Sequence, residues 1–389
     1  MEGKRQVYFD NAATSWPKPP EVAAAVSSFI SDVGANPGRS AHSLSIEASG
    51  VLYDARELAA KFFNLADTQR CIFTLNATTA INLVFKGLLR PGDHVITSGV
   101  EHNAVMRPLR ALERGGVEVT VLNCAPYGHL DSEAVEHAIK PNTKLVTLNH
   151  ASNVTGTLLP IREVGRMCRA HGVPFMVDSA QTAGSVRIDM EADNIDLLVF
   201  AGHKSLLGPQ GVGGVAIGGG VDFSRIEPLV RGGTGSGSEV EEQPNFLPDM
   251  FEAGTPNTPG ISGLAAGITF VLSVGIEEIR AHELELTRML LGCLREMPQV
   301  EILGDPDPET RVATVSFNLR GISPSEVGFR LDDEFGVLCR TGLHCSPATH
   351  KTLGTFPRGA VRFGLGYFST EDEIDYATES LKKIAGDSN

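Results

Sequence analysis

Seven short apolar runs punctuate the first 220 residues, at 71–75, 94–98, 118–122, 144–148, 175–177, 197–200 and 212–217. Amphipathic stretches of helical character lie between them, such as 131–139 and 161–170. Parallel strands need a crossover, and a helix is the usual one. The rhythm therefore predicts an α/β fold, with a mostly parallel central sheet flanked by helices. In such sheets ligands sit beyond the carboxyl ends of the strands. The polar clusters fall there: Asn153, Asp178, Gln181, His203 and Lys204. The chain has 389 residues, enough for a second unit. After GTPNTPG at 254–260 the pattern changes. A long helical stretch at 261–296 leads to strand-like segments at 314–318, 337–340 and 360–363, then to a final helix. This reads as a smaller α+β C-terminal domain. The expected division is a large domain over 18–260 and a small domain assembled from 1–17 and 261–389.

A net charge of −14 argues against nucleic acid or an anionic membrane as the main partner, while leaving room for a local basic pocket. The opening MEGKRQVYFDNAAT holds no apolar run like that of a signal peptide, and no apolar stretch is long enough to span a bilayer. A cytoplasmic protein is expected. The six cysteines are scattered, with no CxxC pair, so no zinc or iron–sulfur site is expected on the chain.

Two runs end in reactive groups. PFMVDSAQ at 174–181 closes an apolar strand on Asp178, a carboxylate that could cap a helix, bind a metal or sit beside a cationic ring nitrogen. LLVFAGHK at 197–204 closes another on His203 and Lys204, before the glycine-rich GPQGVGG. A lysine held in a pocket loses part of its charge preference and can form a Schiff base. Both ends lie at one edge of the sheet. Pyridoxal 5'-phosphate (PLP) needs that pair, an amine for its aldehyde and a carboxylate to keep its ring nitrogen protonated. NATTAINL at 76–83 opens a helix with two hydroxyls, which suits either an anion or an ordinary Thr N-cap. In EHN at 101–103, His102 could stack on a ring or lie in a surface loop. RGGTGSGS at 231–238 reads as a flexible loop, a connector or a lid over the site. Cys345 sits in RTGLHCSPATH among Gly, His, Ser and Pro, where nearby cationic groups favour its thiolate.

These segments resemble the fold-type-I PLP enzymes of the class V aminotransferase group, and within it the cysteine desulfurases. The likeness rests on YFDNAAT at 8–14, NATTAINLV at 76–84, EHNA at 101–104, HASNVTG at 150–156, VDSAQ at 177–181, GHKSLLGPQGVG at 202–213, FEAGTPN at 251–257 and RTGLHC at 340–345, in that order. The resemblance implies that Lys204 carries the cofactor and shuttles the substrate Cα proton, that Asp178 pairs with the ring nitrogen, and that His102 stacks on the ring. It implies ring-hydroxyl contact from Gln181 and phosphate contacts from Thr78, Thr79 and His203. Thr255 resembles a phosphate contact made in the neighbouring subunit's site, which implies a homodimer. Asn153 and Arg362 resemble the carboxylate-binding residues, with Arg340 beside them. RTGLHC resembles the signature of the group II enzymes, with Leu343 where a His is common, and this makes Cys345 the implied nucleophile. The implied reaction turns L-cysteine into L-alanine and leaves a persulfide on Cys345 for an acceptor protein, whose outlet would be iron–sulfur clusters, modified tRNA or cofactors. The neighbouring readings are a selenocysteine lyase, a cysteine-sulfinate desulfinase, another class V aminotransferase-type enzyme, or a sulfur-relay module acting mainly through its acceptor. One position departs from the pattern: Ala201 stands where the family commonly has a phosphate-binding Ser, with Ser205 a nearby hydroxyl that could replace it.

Overall fold

A computed structural model describes residues 5–38 and 41–386; residues 1–4 and 387–389 of the expected small domain lie outside it, as do residues 39–40. The seven apolar runs form one sheet. Its spatial order is Cys71–Thr74, Gly213–Ile217, Leu197–Ala201, Phe175–Asp178, Thr143–Asn149, His94–Ser98 and Glu118–Leu122. Gly213–Ile217 runs antiparallel to both of its neighbours, and the remaining pairs are parallel. Its reversal has a simple cause: residues 202–212 form too short a connection for a helical crossover.

Alternate side chains of each strand enter opposite cores. Leu198 and Phe200 join Phe63, Val146, Phe175 and Val177 on one face. Leu197 and Val199 join Ile72, Val95, Met176 and Val215 on the other. The helices Ser43–Phe62, Ile161–His171 and Thr258–Val274 cover the first face, and Ala77–Leu88 with Asn103–Arg114 cover the second. Gly213 lets the sheet meet the start of Ala77–Leu88 closely, since a Cβ there would lie 2.8 Å from the carbonyl carbon of Asn76.

A second, antiparallel sheet has the order Arg340–Gly342, Ala360–Gly364, Thr314–Leu319, Val300–Leu303. Helices Ile276–Arg295, Pro324–Phe335 and Glu371–Gly386 pack on it through Leu290, Leu331 and Leu381, against Val315, Phe317 and Phe363. Two sequence expectations need correction. The helical stretch at 261–296 is two helices, turned by 80° at Gly275, whose φ of +97° no helix can hold. Thr258–Val274 puts Ile261, Leu264 and Ile268 into the large sheet's core, so the chain changes core at the break and not ahead of it. The run at 337–340 is likewise divided: Val337–Leu338 pairs with Val7–Tyr8, while Arg340 begins the edge strand of the second sheet.

The N-terminal segment ties the two sheets together. Phe9 sits in the smaller core against Phe363. The Asn11 amide donates to the Gly364 carbonyl at 3.1 Å, and the Ser15 amide donates to the His203 carbonyl at 3.1 Å.

Candidate active site

The carboxyl ends of the parallel strands open into a cleft of about 220 Å³. Parallel register sets Asp178 beside Val199, so the strand carrying Asp178 and the one leading to Lys204 end side by side. Asp178 is 6% exposed and accepts a hydrogen bond from the Ala180 amide at 3.0 Å. Burial pushes its carboxyl up from the usual range, and the Ala180 amide and the charge of Lys204 oppose the rise. Lys204 also lines the cleft. Burial lowers its ammonium to about 8; Asp178 resists this, and Arg362 and Arg340 add to it.

His102 caps the helix Asn103–Arg114 through Nδ1, which accepts from the Ala104 amide at 3.0 Å. Burial, then the charges of Lys204, Arg340, Arg362 and Arg107, push its ring down to about 4. At neutral pH the ring is uncharged and its one proton sits on Nε2. Gln181 donates to the Ala12 carbonyl at 3.0 Å at the same wall. His203 is held near 4 by burial, with Lys204 and Lys18 adding to it, and its buried Nδ1 has no hydrogen-bond partner among the described residues.

Thr78 lines the cleft at the start of Ala77–Leu88. The cap of that helix is Asn76, not a threonine. Its Oδ1 accepts from the amide of Thr79 at 2.9 Å and from its hydroxyl at 3.1 Å, which engages Thr79 in the cap and leaves it outside the cleft lining. Thr255 is exposed and outside the cleft of its own chain, and no residue of 231–238 lines it. Ala201 forms part of the wall, 4% exposed, whereas Ser205 lines a separate small cavity.

The second sheet contributes two guanidiniums. Arg340 and Arg362 are direct cross-strand partners, and both line the cleft. Like charges so placed repel unless an anion joins them. Arg362 is 1% exposed; it donates to Asp10 at 2.8 Å and to the Asn153 carbonyl at 3.0 Å, and its Nε has no partner. Asn153 donates to the His344 carbonyl at 2.7 Å, and its Oδ1 is unpartnered. Arg340 donates to Cys345 Sγ at 3.1 Å.

Cys345 is exposed, on a turn where His344 and Cys345 both take positive φ, +49° and +59°. Non-glycine residues adopt this conformation at a cost. The turn is fastened to the large sheet's end. The Asn103 amide donates to the Cys345 carbonyl at 2.8 Å, and the Ser346 hydroxyl donates to the Glu101 carbonyl at 2.7 Å. Glu101, which sequence reasoning passed over, is fully buried. Burial pushes its carboxyl up to about 8, although Ser98 and the Asn149 amide donate to it. Its place between an apolar strand and His102 was the available signal. Asp10, Ser346 and Lys18 carried none, because their partners are remote in sequence.

Comparison with known proteins follows the same lines. The family described as Aminotransferase class-V matches residues 7–377. A probable cysteine desulfurase of Methanothermobacter thermautotrophicus is 36% identical, over 98% of this chain and 95% of its own. Another from Halobacterium salinarum is 35% identical, over 96% of this chain and 90% of its own. Among solved structures, an apo cysteine desulfurase from Thermococcus onnurineus superposes with a TM-score of 0.91 at 31% identity, covering 98% of this chain and 95% of that one.

Proposed function

Since this chain belongs to the class-V aminotransferase family, as one of its cysteine desulfurases, we propose that it binds PLP through Lys204 and passes sulfur from L-cysteine to Cys345. The observation that carries this reading is the meeting in one cleft of Lys204, Asp178 and the paired arginines, one of which touches Cys345. The residues fit the cofactor. A buried carboxyl awaits a cationic ring nitrogen, and the unpartnered His203 Nδ1 beside the start of Ala77–Leu88 suits a phosphate. Arg362, whose Nε has no partner among the described residues, and Asn153 line the same cleft and suit the substrate's carboxylate.

When bound, PLP supplies an electron sink for the substrate Cα. Lys204, its amine readily neutral, would hold the cofactor and take the Cα proton. Asp178 would keep the ring nitrogen protonated. His102 would stack against the ring and offer its Nε2 proton. Arg362 and Asn153 orient the substrate carboxylate. Cys345 Sγ attacks the substrate sulfur: a sulfur–sulfur bond forms, the substrate's Cβ–S bond breaks, and its electron pair stays with the carbon fragment, which is protonated to alanine. An acceptor protein's thiolate then takes the outer sulfur of the persulfide, the sulfur–sulfur bond to Cys345 breaks and the Cys345 thiolate leaves. Exposed Thr255 supports a homodimer in which each subunit completes the other's phosphate site. The working division is a cofactor-binding large domain and a small domain bearing Cys345 and Arg362. No single helix among the described residues is long and apolar enough to cross a membrane, and a reducing cytoplasm would keep Cys345 free.

Cys345→Ser should keep the yellow absorbance of the bound cofactor and lose persulfide formation from L-cysteine; retained desulfuration defeats the nucleophile assignment. Lys204→Ala should lose that absorbance, and an unchanged spectrum defeats the cofactor assignment.

A further inference from the structure

Lys18 stands outside the cleft lining, yet it grips the turn that carries Lys204. Its Nζ donates to the His203 carbonyl at 2.9 Å and to the Ser15 hydroxyl at 2.6 Å. The Ser15 hydroxyl in turn donates to the Lys204 carbonyl at 2.8 Å, and the Thr14 hydroxyl to that of His203 at 3.1 Å. Residues 14–18 thus hold two consecutive carbonyls, those of His203 and Lys204. Burial pushes the Lys18 ammonium down to about 8, and no carboxylate among the described residues counters it. A partly buried cation without a counter-charge is unfavourable unless an anion arrives to balance it. The Lys18 charge reaches the His203 ring, which lines the cleft and whose buried Nδ1 has no partner among the described residues. Ala201, which provides no hydroxyl, lines the same cleft.

We propose, resting on the PLP reading above, that Lys18 is a positioning residue of the cofactor site. From behind the turn, its ammonium holds the His203 carbonyl directly and the Lys204 carbonyl through the Ser15 hydroxyl, and it supplies positive charge to the phosphate, which offsets the missing hydroxyl at Ala201. Its role is thus tied to the phosphate and not to the aldehyde.

The test is titration of the full-length apoprotein with two probes, PLP and pyridoxal, which lacks the phosphate. Absorbance and fluorescence follow binding in wild type, Lys18→Met, Lys18→Arg and Lys18→Met with Ala201→Ser. Lys18→Met should weaken PLP about tenfold, the effect of one screened charge interaction, and leave pyridoxal unchanged. Lys18→Arg should recover most of the loss, and Ala201→Ser part of it. Unchanged PLP affinity in Lys18→Met, or equal weakening of both probes, overturns the proposal. If Lys18→Met does not fold, Lys18→Gln serves the same comparison. Wild type that binds neither probe overturns the cofactor reading itself, an outcome distinct from wild type that binds both and a variant that matches it.

Discussion

Lys204 has an ammonium lowered from its ordinary 10.5 to about 8, chiefly by burial. The sign of the consequence is set by which form burial disfavours. Between about 8 and 10.5 the folded apoprotein holds fewer protons on this group than the unfolded chain, so its contribution to stability grows as pH rises through that window. Capture of PLP needs the neutral amine. Its rate, followed by stopped-flow absorbance, should rise with a midpoint near 8; a midpoint near that of an ordinary lysine would refute a buried amine. Lys204 and Asp178 were legible in the sequence because each closes an apolar run, and a run's end is visible without any partner. The Thr N-cap reading at 76–83 fails because a helix start shows hydroxyls without showing which residue caps it, and Asn76 has that place. The ties of Arg362 to Asp10 and of Ser346 to Glu101 cross 352 and 245 residues, and no local pattern encodes such contacts.

Among the elements, the turn at His344–Cys345 is held by its neighbours more than by its own preferences. Ser346 is fully buried, and its hydroxyl serves both the Glu101 carbonyl and Thr349. Ser346→Ala leaves that carbonyl without its partner, at a cost of about 1–3 kcal/mol that urea unfolding would measure. Released from Glu101, the turn should also expose Cys345 to faster alkylation by iodoacetamide, while PLP affinity stays at the wild-type value. Unaltered alkylation would show that the Asn103 amide alone suffices. The strands and most helices were predictable from periodicity. The reversed strand Gly213–Ile217 was not, because a run's apolar character is the same in either direction. The break at Gly275 was missed for a related reason: a glycine inside a helical pattern is tolerated as often as it interrupts.

At the scale of the whole molecule, two sheets meet around one cleft, and each supplies part of its lining. The large sheet brings Lys204 and Asp178; the small sheet brings Arg340, Arg362 and the turn of Cys345. If the dimer completes the phosphate site, light scattering should return twice the 41.4 kDa mass of one chain. Thr255→Val should then weaken PLP although Thr255 is outside its own cleft, and a monomeric mass with full PLP affinity would exclude the shared site. The fastening of the Cys345 turn has a consequence for delivery. A sulfur atom mounted on an anchored turn travels no farther than one side-chain rotation allows. Under the proposed function an acceptor would have to bring its thiol to that fixed, exposed position.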